Sequence, residues 1–162
     1  MKKLIGTLIL GALAVSFAGT VQADDQQTDV TYEVENSYTL KIPAKIDLQN
    51  LDSPIIGTAA HNIKPKQVLK IQLGSANSAI DDHGTITLTR QNEKTTAQKL
   101  TTQMFVSEDQ QNPLKKGIPF FEAKGANGTG ATTELTFAEI EGEKPAGTYN
   151  AAITFTASVE DE

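Results

Sequence analysis

Cysteine is absent from this chain of 162 residues. No disulfide can brace it, no thiol can act as a nucleophile, and the residue that carries the lipid of a bacterial lipoprotein is missing. Tryptophan is absent as well, and the three tyrosines and six phenylalanines fall mostly at inward strand positions. That pattern lacks the exposed rings with which carbohydrate-binding modules usually meet sugars. Arg90 is the one arginine, too little for an anion-recognition cluster. There is no Gly-x-Ser-x-Gly elbow, no His-Glu-x-x-His pair and no phosphate-cradling glycine loop. Helical periodicity is missing too: 58–63 or 75–80 could form one turn and no more.

The only long apolar run lies at the start. Met1-Lys2-Lys3 is basic, Leu4 to Ala18 is almost wholly apolar, and Val21-Gln22-Ala23 supplies small residues at the two positions a signal peptidase reads. The run is shorter than the roughly 20 residues that span a bilayer. These features predict a signal peptide over 1–23, cut before Asp24. They leave one domain over 24–162, with no covalent anchor and no membrane contact after cleavage. Twelve basic and twenty acidic side chains would then remain, a net charge of −8. Such a charge repels nucleic acid and anionic membrane surfaces.

What the chain does have is period-two alternation. In Gly147 to Val159, Tyr149, Ala151, Ile153, Phe155, Ala157 and Val159 fall on one side of an extended backbone, with polar residues and Ala152 on the other. The pattern predicts one long antiparallel strand near the centre of a sheet. Earlier strands are expected at Val30–Val34, Tyr38–Ile42, Ile55–Ala60, Val68–Leu73, Thr85–Arg90 and Leu100–Val106. Ile46 and Leu48 read as a continuation after a bend. Ile118–Phe121, broken by Pro119, reads as an edge strand or packed loop. Leu135 and Phe137 mark the penultimate strand. The fold class is all-β: an antiparallel β-sandwich, Ig-like or Greek key, of about seven to nine strands.

Few residues invite chemistry. Asp81, Asp82 and His83 could bind a metal or move protons, but neighbours in extended chain point apart, and a solvated loop tip closed by Gly84 is the plainer reading. His61 beside Asn62 is similar. Glu139, Glu141 and Glu143 would share a strand face, where charge guards an edge against aggregation. Asn127-Gly128-Thr129 matches a glycosylation acceptor within a glycine-rich turn. Of Phe120 and Phe121, one is expected to fill the core, and an exposed ring would mark a partner surface. Tyr149, just inside the last strand, is expected to pin a corner through its hydroxyl, with Ile153 and Phe155 as core residues. No catalytic residue and no cofactor are expected.

Pro145-Ala146-Gly147-Thr148-Tyr149, followed by Ile153-Thr154-Phe155-Thr156, resembles the terminal strand of small exported bacterial β-sandwich proteins, including cell-surface proteins of Gram-positive bacteria. It is similar in particular to the end of the WxL surface domain, which attaches non-covalently to the cell wall. That family is named for its Trp-x-Leu motifs, and Phe155 stands near where one of those tryptophans would be. The resemblance implies a sandwich fold and a surface setting. The sequence as a whole predicts a non-catalytic secreted or cell-surface protein. Its expected partners are extracellular or cell-wall-associated proteins, among them copies of itself in a fibre. A module binding calcium or glycan is the alternative.

Overall fold

The computed structural model describes residues 29–50, 53–91 and 98–162. The expected signal peptide lies outside them. The chain divides into a segment ending at Glu33 and a compact body, Val34–Glu162. Among the described residues there is no helix, and ten strands form two antiparallel sheets. Two of the ten have only two residues, which accounts for the excess over the expected seven to nine.

The strands are β1 (Ser37–Lys41), β2 (Ile55–Asn62), β3 (Gln67–Leu73), β4 (Thr85–Arg90), β5 (Lys99–Val106), β6 (Pro119–Ala123), β7 (Ala126–Asn127), β8 (Thr132–Phe137), β9 (Tyr149–Asn150) and β10 (Phe155–Asp161). The larger sheet runs β1-β2-β8-β5-β4-β9, with β7 also beside β2; the smaller runs β10-β3-β6. Ile56, Ile86, Met104 and Leu135 from the first sheet meet Leu69, Ile71, Leu73 and Phe121 from the second in one core. Each fully buried Leu or Ile contributes roughly 1.5–3 kcal/mol. The architecture is therefore sandwich-like, with sheets of unequal width.

Backbone approach is closest where β2 meets the turn before β8. Gly57 and Gly130 both have positive φ, and a Cβ on Gly130 would collide with the Thr58 carbonyl. Only glycine satisfies both demands.

Three expectations need correcting. Residues 29–36 belong to no strand, and Val30 and Tyr32 are each 92% exposed. Alternation alone cannot make a strand without a neighbour to bond. Ile46 and Leu48 extend no sheet; residues 42–49 form a strap after β1, with Ile42, Ile46 and Leu48 half-buried. Most consequentially, Gly147–Val159 is not one central strand. β9 pairs with β4 at the edge of the larger sheet, and β10 pairs with β3 at the edge of the smaller. Ile153 lies in the connector between them, still packed on the core. The alternation was legible because both strands and connector keep one side inward. The change of sheet was not.

Candidate functional site

The carboxylate of Asp81 is turned into its own loop. Its Oδ1 accepts from the amides of Thr85 (2.8 Å) and His83 (2.9 Å). These bonds, that of Thr85 foremost, hold its carboxyl below the ordinary 3.8. Asp82 points instead to Lys116, 3.2 Å away, and the His83 side is exposed. The three side chains therefore do not converge. Among the described residues no three His, Asp or Glu groups are placed to hold a metal ion.

His61 is buried, at 6% exposure. Its Nδ1 lies 2.9 Å from Thr58 Oγ1 and its Nε2 3.3 Å from the Lys124 carbonyl. The Ala131 amide donates to the same Thr58 oxygen. All three contacts are satisfied together if Thr58 donates to Nδ1 and the ring donates from Nε2. The imidazole thereby ties β2 to the loop after β6, a bracing arrangement with no open side for a reactant.

Glu139, Glu141 and Glu143 are exposed, and the backbone of Glu141 bonds to Thr101 in both directions. Asn127 donates its side-chain N–H to the Gly130 carbonyl (2.8 Å) and accepts from the Thr129 hydroxyl and amide. Its amide nitrogen is thus engaged within the turn. Phe121 is buried in the core, while Phe120 is half-buried and meets Phe155 edge to face with ring centres 6.1 Å apart. The Tyr149 hydroxyl donates to the Pro145 carbonyl at 3.0 Å, fixing the chain as it enters β9.

Sequence reasoning missed Asn77. Its side chain donates to the Thr154 carbonyl (2.8 Å) and accepts from the Thr154 amide (2.7 Å). A buried amide thus replaces a strand neighbour in the connector. Asn77 stands in a polar loop with nothing nearby in the sequence to single it out.

A cleft of about 670 Å³ opens at the edge of the core. Ile86, Leu88 and Leu100 of the larger sheet line it, with Ile153 and Phe155 of the final segment and the strap from Pro43 to Gln49. Leu88 and Leu100 are buried but stand outside the main core cluster. The cleft exists because three strands face a wider sheet and leave part of its inner side to the strap. Its lining mixes apolar side chains with polar and charged ones, among them Lys45 and Asp47 of the strap, paired at 3.9 Å.

The second surface feature of the body is a short run of exposed large apolar side chains, Val34 at 51%, then Tyr38 and Leu40 along β1; in the separate leading segment, Val30 and Tyr32 are also exposed. Every residue of β1 is exposed. No protein-family model, no curated protein and no solved structure matches the chain.

Proposed function

We propose that this chain is a non-catalytic domain of immunoglobulin-like sandwich type, exported and working at the cell surface. It acts through contacts with other surface or wall-associated proteins, among them its own copies. The observation that carries this reading is the short exposed apolar run of Val34, Tyr38 and Leu40 on the body. Such a run is costly to keep in water and is a usual mark of a contact surface. The loop-bonded Asp81 and the braced His61 add support, since neither offers a reactive group to a cleft.

The test uses whole cells of a producing organism and the labelled processed protein. Binding is expected on untreated cells, with loss after protease shaving of the surface. It is also expected to weaken when Tyr38→Lys and Leu40→Lys are introduced together. Binding that survives shaving but disappears after removal of surface glycan would overturn the protein-contact reading in favour of a glycan ligand.

A further inference from the structure

We propose that the Val30–Val34 segment of one copy adds as a strand to the free edge of β10 in a second copy, seating its apolar side chains beside the cleft at Phe155. The proposal rests on the contact-surface reading above and names its partner.

The donor has the right chemistry. Val30, Tyr32 and Val34 alternate with Thr31 and Glu33, belong to no strand, and hold their apolar side chains in water. An extended segment of this kind lowers its free energy by joining a sheet edge, where ladder hydrogen bonds give affinity and alternate side chains give specificity.

The acceptor is selected by elimination among the edges. β10 is the end strand of the smaller sheet and seven residues long. Thr154 uses its amide and carbonyl on the Gly74–Asn77 side. The antiparallel alternation therefore turns the N–H and C=O groups of Phe155, Ala157 and Val159 to the outer edge. Phe155 belongs to β10 and also lines the cleft. The other edges lack this combination. β6 opens on Pro119, which has no N–H, and its ladder with β3 is irregular. β9 has two residues, and β1 is exposed along its length.

Register follows from side-chain chemistry. With Tyr32 opposite Phe155 in an antiparallel pairing, Val30 faces Ala157 and Val34 faces Ile153. Thr31 then faces Thr156, and Asp29 faces Ser158. The occupant is a second copy because the antiparallel register is out of reach of the chain's own segment. The Asn36 side chain is fixed to Gln67, which also bonds Asp161 at the far end of β10 from Phe155. A chain's own segment could follow β10 only in parallel from that end. Donor and acceptor surfaces differ, so the contact is head to tail and propagates into a filament unless the rotation between copies closes a ring.

The chain's lack of cysteine makes the test clean. Thr31 and Thr156 are both exposed and would form a non-hydrogen-bonded pair, with Cα atoms about 4.5 Å apart, close enough for a disulfide. Chains carrying Thr31→Cys, mixed with chains carrying Thr156→Cys, should form a disulfide-linked dimer under mild oxidation. The double variant should form a ladder of covalent multimers. Pairing Thr31→Cys with Glu122→Cys, on β6, should be roughly tenfold less efficient, and Tyr32→Lys should lower cross-linking and light-scattering mass to a similar degree. An intramolecular disulfide in the double variant would overturn the second-copy assignment. Equal linkage to Glu122→Cys would overturn the edge. A monomer at every concentration with no cross-link would overturn strand addition itself. The whole-cell binding test would still decide the broader reading.

Discussion

His61 shows how a residue type that invites mechanism can serve structure. Its two ring nitrogens reach Thr58 and Lys124 inside the body, so replacement removes a partner from the Lys124 carbonyl and leaves the Thr58 hydroxyl only its contacts with the Ala131 backbone. His61→Ala should cost about 1–3 kcal/mol in urea unfolding. Gly130 makes the steric case: with φ of 72° and the Thr58 carbonyl in the way of any Cβ, Gly130→Ala should cost more than about 2 kcal/mol. Gly128→Ala, which meets open space, should stay within about 0.5 kcal/mol. Charge enters through acids whose bonds favour the ionised form. Thr85 and His83 amides lower Asp81, Asn112 lowers Asp109, and Lys70 lowers Glu160. Their contribution is complete above the ordinary values of 3.8 and 4.5 and is lost as pH falls through the lowered ones. Urea midpoints followed from pH about 6 to about 2 should therefore decline, and less steeply in Asp81→Asn, which keeps an acceptor but cannot titrate.

At the scale of elements, the final segment is the instructive one. Its alternation gave the inward side correctly from Tyr149 to Val159, yet the chain leaves one sheet after Asn150 and joins the other at Phe155. The transfer is held by Asn77, which bonds both backbone groups of Thr154, together with the Gly74 amide just beyond β3, which donates to the Thr154 carbonyl. Asn77→Ala should cost about 1–3 kcal/mol by chemical denaturation, since it strips a buried amide of its acceptor. Tyr149→Phe removes one hydroxyl bond to Pro145 and should cost about 1 kcal/mol without changing the fold. Thr85–Arg90 was legible to the residue, because β4 has a single inward face, Ile86 and Leu88, and a turn at each end. Val30–Val34 was read as a strand on the same pattern and is not one in the single chain, because pairing is a property of two segments.

For the whole molecule, the decisive fact is the unequal width of the two sheets. Leu135 sits at full burial where both sheets cover it, whereas Leu88 borders the cleft. Leu135→Ala should thus cost about 3–5 kcal/mol and Leu88→Ala about 2 kcal/mol, compared by urea unfolding, since the cleft-side position has room to relax. The same imbalance leaves β10 as an edge beside the cleft, and so ties the architecture to the proposed self-association. Acidic composition acts over the whole surface, so association of copies should strengthen as salt screens their repulsion. Light scattering at low and high ionic strength would reveal that trend.

Taken alone, the sequence determined that the described residues make strands and not helices, which side of most strands faces inward, and that the composition is acidic. These are properties of neighbours along the backbone and of composition. The tertiary structure alone decided which strands lie side by side, that the last segment divides between two sheets, and that Asn77 and His61 brace distant loops. It also decided where the cleft opens. Each of these depends on contacts between residues far apart in the chain, and pairing geometry leaves no periodic trace in either partner.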